Sequence, residues 1–211
     1  MEVINVDLNK PERTALDRIA EALQQGKVIA LPTDTCYGLA GNGLAKNSVE
    51  KIFTIKKRER GKAISLMVRD YQMADELAWF DRPAQKIFHY LLPGPLTLVL
   101  PAKREALPKS LLGNSSTVGL RMPHLPLIKK LMAQLDFPLT ATSANLSGQD
   151  NLYSAEEIKR EFDQALEKPD LLIDGGVLPK RPASTVVEVK NGEIRILREG
   201  PVSERDIERY L

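Results

Sequence analysis

Apolar positions along this chain fall into short continuous runs separated by stretches with a helical stripe, and the two patterns alternate from end to end. Ala15, Leu16, Ile19, Ala20 and Leu23 make one stripe behind Asn9-Lys10-Pro11-Glu12, which predicts a helix stopped at Gly26. The run 28–31 then predicts a short buried strand. Further strands are predicted at 64–68, 96–100, 117–120, 139–142 and 171–173. Between them, a capping box at Asn47-Ser48-Val49-Glu50 opens a helix through Ile52 and Phe53, and Asp81-Arg82-Pro83 opens another through Leu92. Residues 125–135 and 154–162 read as two more helices, the second capped by Ser154 with Glu157. The last third changes character. Segments 185–189 and 193–197 flank Asn191-Gly192, the strongest short hairpin signal, and Ser203 with Asp206 caps a final short helix. Helical crossovers with an antiparallel pair added predict one α/β domain over residues 1–211, its sheet mixed.

Two polar segments stand out against that frame. Pro32-Thr33-Asp34-Thr35-Cys36-Tyr37-Gly38-Leu39 follows one apolar run, and Thr142-Ser143-Ala144-Asn145-Leu146-Ser147-Gly148 follows another. Hydroxyls and glycines at the ends of sheet strands are where open α/β proteins collect ligands. Composition adds bounds. With 43% hydrophobic and 27% charged residues the chain reads as an ordinary globular protein, and a net charge of +2 is too mild to argue for nucleic acid. One cysteine, Cys36, excludes an intramolecular disulfide and fits a reducing compartment. No signal-peptide pattern opens the chain, and no apolar run nears the roughly 20 residues that span a membrane, so a soluble, cytoplasmic protein is expected.

Several kinds of chemistry find no support. Gly38-Leu39-Ala40-Gly41-Asn42-Gly43 begins like a phosphate loop, but Leu44-Ala45 stands where a Lys and a Ser or Thr are needed. There is no G-x-S-x-G, and His89 and His124 both read as structural, which argues against a serine hydrolase. Cys36 has no identifiable base, and no Cys/His cluster has metal-ligand spacing. What remains is polar and cationic. Lys56, Lys57, Arg58, Arg60 and Lys62 gather at a predicted helix end: either a solvated last turn, or cations converging on phosphate if the helix stops near Lys57. Ser143 and Asn145, two apart, suit neutral recognition of phosphate oxygens or a carbonyl, or are simply turn residues. Arg121 and Arg198 each end a strand, as carboxylate forks or as surface residues.

Taken in order, these blocks resemble the YrdC/TsaC family, the L-threonylcarbamoyladenylate synthases. The match runs through residues 32–39, Lys56-x-Arg58, Pro93-Gly94-Pro95-Leu96-Thr97, Arg121-Met122-Pro123, residues 143–148, Ser184-Thr185-Val186 and Arg198-Glu199-Gly200. The resemblance implies a YrdC-like fold, a twisted mixed sheet flanked by helices around a basic concave groove. It implies a nucleotidyltransferase that joins L-threonine, bicarbonate and ATP into threonylcarbamoyl-AMP and releases pyrophosphate, with Mg²⁺ arriving on the ATP. Other proteins would pass the threonylcarbamoyl group to adenosine in tRNA. Lys56, Arg58, Ser143 and Asn145 would form the catalytic signature around the phosphates. Thr35, Met67, Arg121 and Ser184 would hold L-threonine, and Arg58, Lys62, Thr117, Ser143, Asn151 and Arg198 would contact ATP. The sequence departs from the family pattern at Glu59 and 63–64, at Lys62 for a common Asn, at Met67 for a common His, and at Asn151 for a usual Ser. The run 65–70 also looks like a YciO-type paralogue. A protein that binds tRNA or duplex RNA in the same groove without chemistry is the other alternative.

Overall fold

The computed structural model describes residues 1–211. In chain order its elements are β1 (Glu2–Asn5), α1 (Arg13–Gln24), β2 (Ile29–Pro32), β3 (Tyr37–Ala40), α2 (Lys46–Lys56), β4 (Ser65–Met67), α3 (Tyr71–Leu77) and α4 (Arg82–Leu91). There follow β5 (Leu96–Pro101), α5 (Lys109–Leu112), β6 (Thr117–Arg121), α6 (Pro126–Met132), β7 (Leu139–Ser143), α7 (Ala155–Phe162), β8 (Leu171–Asp174), β9 (Thr185–Lys190), β10 (Glu193–Arg198) and α8 (Glu204–Glu208). The ten strands lie in the order β1-β8-β2-β3-β7-β4-β6-β5-β9-β10. Four parallel pairs (β1/β8, β2/β8, β4/β6, β5/β9) occur beside five antiparallel ones, so the sheet is mixed as the sequence predicts. Helices flank it: α1 packs on α6, α2 on α5, α4 on β5 and α7 on β8. The buried apolar side chains form a single cluster of 56 residues, one core for the whole chain.

β7 is the hinge of the arrangement. Its last residues pair with β3 (Gly38 with Ser143, Leu39 with Thr142) while its first pair with β4 (Met67 with Leu139, Leu66 with Thr140). The two polar segments singled out in the sequence are therefore sheet neighbours. At the far end, Asn191 (φ 55°) and Gly192 (φ 81°) make the two-residue turn of the β9–β10 hairpin, both in the left-handed region that this turn requires. The capping boxes at Ser154 and Ser203 form as expected.

Five features differ from the sequence reading. The box at 47–50 does not form: α2 starts at Lys46 behind Ala45, which puts Asn47 inside the first turn; separately, Ser48 Oγ donates to Gly26 O at 3.0 Å and ties α2 to the end of α1. Three residues of the segment 32–39, Tyr37, Gly38 and Leu39, lie in β3, wholly buried between β2 and β7. α3 was not foreseen, although Asp70 caps it by accepting from Met73 N at 2.8 Å. β1, an edge strand with one buried residue, and the four-residue α5 carry too little apolar pattern to be read in advance.

Candidate active site

Residues 33–36 form the turn between β2 and β3, and Thr33 holds it. Its Oγ1 donates to Cys36 O at 2.7 Å and lies 3.1 Å from Thr35 Oγ1. The turn directs Asp34 at the end of β6, where its Oδ1 accepts from Arg121 Nη2 at 2.5 Å and its Oδ2 from His124 N at 3.1 Å. These side chains are 6% and 12% exposed, so the pair is dry, and the fixed geometry of two bonds to Asp34 offsets the desolvation of the charges. Arg121 Nε, also buried, has no partner in the protein. A buried orphan donor costs on the order of 1–3 kcal/mol, which a ligand acceptor would recover.

Arg121 opens into a cavity of about 270 Å³ at the polar strand ends, small but within reach of a ligand site. Thr35, Cys36 and Gly38 line it from the first polar segment, and Ser143 from the second. Ser65 and Met67 on β4, Thr97 on β5 and Arg121 on β6 form its floor. Gly119 keeps that floor open, because a Cβ there would sit 2.4 Å from Ser65 Oγ. Ser184 is buried, with its Oγ 3.0 Å from Thr97 Oγ1. Asn151, Arg58 and Arg198 complete the wall, and no Asp or Glu is among the lining residues.

Arg58 and Arg198 have only carbonyl or hydroxyl partners. Arg58 Nη2 donates to Ala63 O at 2.8 Å, and Arg198 donates through Nε and Nη2 to Ser184 O at 3.0 and 2.7 Å. Burial lowers the pKa of both from the ordinary arginine value, and Arg121 nearby lowers that of Arg198 further. Guanidiniums have too high a pKa to lose their charge, so they present uncompensated positive charge to the cavity. The thiol of Cys36 is pushed up by burial, which keeps it protonated and unreactive.

Lys56 occupies a different place from the one the sequence suggested. It ends α2, with Lys57 in the left-handed conformation (φ 48°) turning the chain away. Its side chain is 2% exposed and does not line the cavity. Nζ donates to Ser143 O at 2.5 Å, Asn145 O at 2.7 Å and Asn145 Oδ1 at 2.9 Å. Burial, and then the neighbouring Arg58, lower its pKa from 10.5 to about 8, still charged at neutral pH. Lys56 and Arg58 thus do not converge: Arg58 faces the cavity, and Lys56 braces the loop behind it.

Of the residues expected at the site, the structure brings Thr35, Arg58, Met67 and Arg121 together with Ser143, Asn151, Ser184 and Arg198. Asn145 stands one layer back beside Lys56. Lys62 is exposed and pairs with Glu59 at 3.2 Å, and Thr117 bonds Ser115 Oγ at 2.9 Å at the opposite end of β6, so neither reaches the wall. The sequence reading missed Asp34, Ser65 and Thr97. Asp34 lay inside the first polar segment, and Ser65 is two residues from Met67 on the same strand face, a period-2 signal that was available.

Three guanidiniums around one cavity at the polar strand ends are chemically suited to an anionic group. A family profile for Sua5, YciO and YrdC proteins, described as telomere recombination, matches residues 21–200. The chain belongs to this family. A Methanocaldococcus jannaschii protein, provisionally named a threonylcarbamoyl-AMP synthase, is 34% identical over 93% of this chain and 91% of its own length. Escherichia coli YciO is 30% identical over 91% of this chain and 92% of its own, and its crystal structure superposes with a TM-score of 0.86. The crystal structure of Pyrococcus abyssi Sua5 complexed with L-threonine has a TM-score of 0.92 at 32% identity, covering 100% of this chain and 61% of that one. The chain spans 55% and 60% of the P. abyssi and Bacillus subtilis threonylcarbamoyl-AMP synthases, which are longer.

Proposed function

We propose that this protein condenses L-threonine, bicarbonate and ATP into threonylcarbamoyl-AMP and pyrophosphate, the first step in threonylcarbamoyl modification of tRNA adenosine. The observation that carries the reading is the set of three guanidiniums around one cavity: Arg58 and Arg198 without carboxylate partners, and Arg121 with a buried, unpartnered Nε. An amino-acid carboxylate on Arg121 and a polyphosphate near Arg58 and Arg198 would satisfy all three.

In the reaction the amine and bicarbonate give a carbamate with loss of water. A carbamate oxygen then bonds to the α-phosphorus as the bond to pyrophosphate breaks, the electron pair leaving with the pyrophosphate. Neither step requires a covalent nucleophile, which agrees with a protonated Cys36. Such a transfer is accelerated by orientation and by neutralising the charge that builds on the leaving group, and Arg58 and Arg198 are suited to that. Mg²⁺ bound with the nucleotide would supply further neutralisation. The protein gathers no three His, Cys, Asp or Glu side chains, so the ion would rest on phosphate oxygens and water.

The test is pyrophosphate release with each component omitted in turn. Release that needs ATP, bicarbonate and L-threonine together supports the reading, and undiminished release without threonine refutes it. A YciO-type activity on another amine is favoured by one observation: Met67, 1% exposed on the cavity floor beside Arg121, makes that side of the amino-acid pocket apolar. Faster release with a more apolar amino acid than with threonine would select it.

A further inference from the structure

Each polar hydrogen around residues 143–145 has a fixed direction. Lys56 Nζ carries three N–H bonds and faces three acceptors: Ser143 O, Asn145 O and Asn145 Oδ1. Asn145 Nδ2 donates to two carbonyls, Gln149 O at 2.5 Å and Asp150 O at 3.1 Å. An oxygen in that position would face two other oxygens and a nitrogen in place of Oδ1 would face an ammonium, so the amide has one orientation. Asn145 Oδ1 therefore has no hydrogen to give. The 2.6 Å contact between it and Ser143 Oγ is made by the serine's proton. A serine has one O–H, and this one is directed into the protein. What Ser143 turns to the cavity it lines is its lone pairs.

We infer that Ser143 meets the ligand as a hydrogen-bond acceptor, held in that polarity by Lys56 through Asn145, and so recognises a donor on a nucleotide rather than a phosphate oxygen. The inference rests on the nucleotide reading given above. It reverses the role that a serine in a phosphate signature would be expected to play. To donate to phosphate, the hydroxyl would have to abandon Asn145 Oδ1 and leave that buried oxygen with the Lys56 ammonium alone. The division of labour is chemically sensible: Arg58, Arg121 and Arg198 already face the cavity as donors for anionic oxygens. Three kinds of donor accompany Mg²⁺-ATP: the sugar hydroxyls, the adenine amino group and the water shell of the divalent cation. Lys56, which does not touch the cavity, is a positioning residue that sets the serine's direction.

Calorimetric titration of wild type and Ser143→Ala tests this, using ATP with Mg²⁺, ATP with EDTA, 2′-deoxy- and 3′-deoxy-ATP with Mg²⁺, and tripolyphosphate with Mg²⁺. Ser143→Ala is expected to weaken Mg²⁺-ATP binding about three- to tenfold, the size of one hydrogen bond. If the donor is a sugar hydroxyl, the loss disappears with the analogue lacking that hydroxyl and with tripolyphosphate. If it is the adenine amino group, the loss disappears with tripolyphosphate alone; if it is cation-bound water, the loss disappears with EDTA. An equal loss with all five probes shows donation to phosphate and overturns the inference, as does no loss with any. The relay is tested by Lys56→Met, which should weaken Mg²⁺-ATP binding in the wild-type background and add nothing to Ser143→Ala; additive losses overturn the relay. Where Lys56→Met does not fold, the Ser143→Ala probes decide alone. Wild-type protein that binds none of the probes overturns both this inference and the nucleotide reading, whereas wild-type binding with a uniform Ser143→Ala loss overturns only the inference.

Discussion

Truncating Lys56 to Ala should destabilise the fold substantially, although a lysine at a helix end is ordinarily dispensable. An exposed cation there contributes about 0.3–1 kcal/mol. Lys56 is buried, and three terms decide the outcome. Removing the methylenes beyond Cβ forfeits roughly 2 kcal/mol of burial. The carbonyls of Ser143 and Asn145 lose a charged donor, at roughly 1–3 kcal/mol each. Against this, a buried ammonium whose pKa falls from 10.5 to about 8 burdens the folded state by roughly 3 kcal/mol, which the truncation relieves. The balance is a loss of roughly 3 kcal/mol, or a fall in Tm of about 6–12 °C for a chain of this size. A calorimetric melt showing a fall under about 2 °C would refute the reasoning. The same residue fixes a pH dependence. Lys56 is a base with a folded pKa below its unfolded one, so between about 8 and 10.5 the unfolded chain holds the proton more often. Its burden on stability is full below that window and lifts across it, so this residue makes stability rise with pH. The rise should vanish in Lys56→Met, and parallel pH curves for the two proteins would contradict the assignment.

Arg121→Lys keeps a cation beside Asp34 but loses the planar fork, and should weaken L-threonine binding more than tenfold while ATP affinity changes little; equal losses in paired titrations would remove Arg121 from the amino-acid site. Cys36→Val should retain activity within about twofold, and the native thiol should resist iodoacetamide near neutral pH until the protein is unfolded, because burial holds it protonated. Gly119→Ala should lower stability by about 1–3 kcal/mol and reduce ligand binding, since its Cβ would press on Ser65 Oγ at 2.4 Å; an unchanged melt and affinity would show that the floor yields freely.

What was legible in the sequence was local. The turn at Asn191-Gly192, the capping boxes at Ser154 and Ser203 and the stop at Gly26 are decided within a few residues, and each forms. The box at 47–50 satisfied the same local rule and failed, because α2 begins one residue upstream at Lys46 and leaves Asn47 inside the first turn. β3 was hidden for a different reason. Tyr37, Gly38, Leu39 and Ala40 are small or mixed in character, and only pairing on both sides with β2 and β7 makes them a strand. The site followed suit: eight of its expected residues reach one cavity, since motif order survives folding. Lys56 was misplaced because its partners lie 87 and 89 residues on, and nothing in Lys56-Lys57-Arg58 distinguishes the cation that faces inward from the one that faces the ligand.

The arrangement of charge explains why one carboxylate matters so much. Arg121 alone of the three guanidiniums is anchored by an acid, and Asp34 holds it by one Nη while leaving Nε unpartnered. A carboxylate on each of Arg58 and Arg198 would stabilise the free protein but compete with every anionic ligand. Carbonyls orient a guanidinium without neutralising it, and these two arginines are held by carbonyls. The site therefore carries self-repulsion: burial lowers the pKa of Arg198, and Arg121 lowers it further. That repulsion is relieved only when anions arrive. Asp34 limits it at Arg121, and so fixes the one fork that the proposed reaction assigns to a small carboxylate. On this argument the stability of the free protein should rise when polyphosphate alone is added, before any amino acid binds, because the uncompensated pair, Arg58 and Arg198, needs no second substrate to be satisfied.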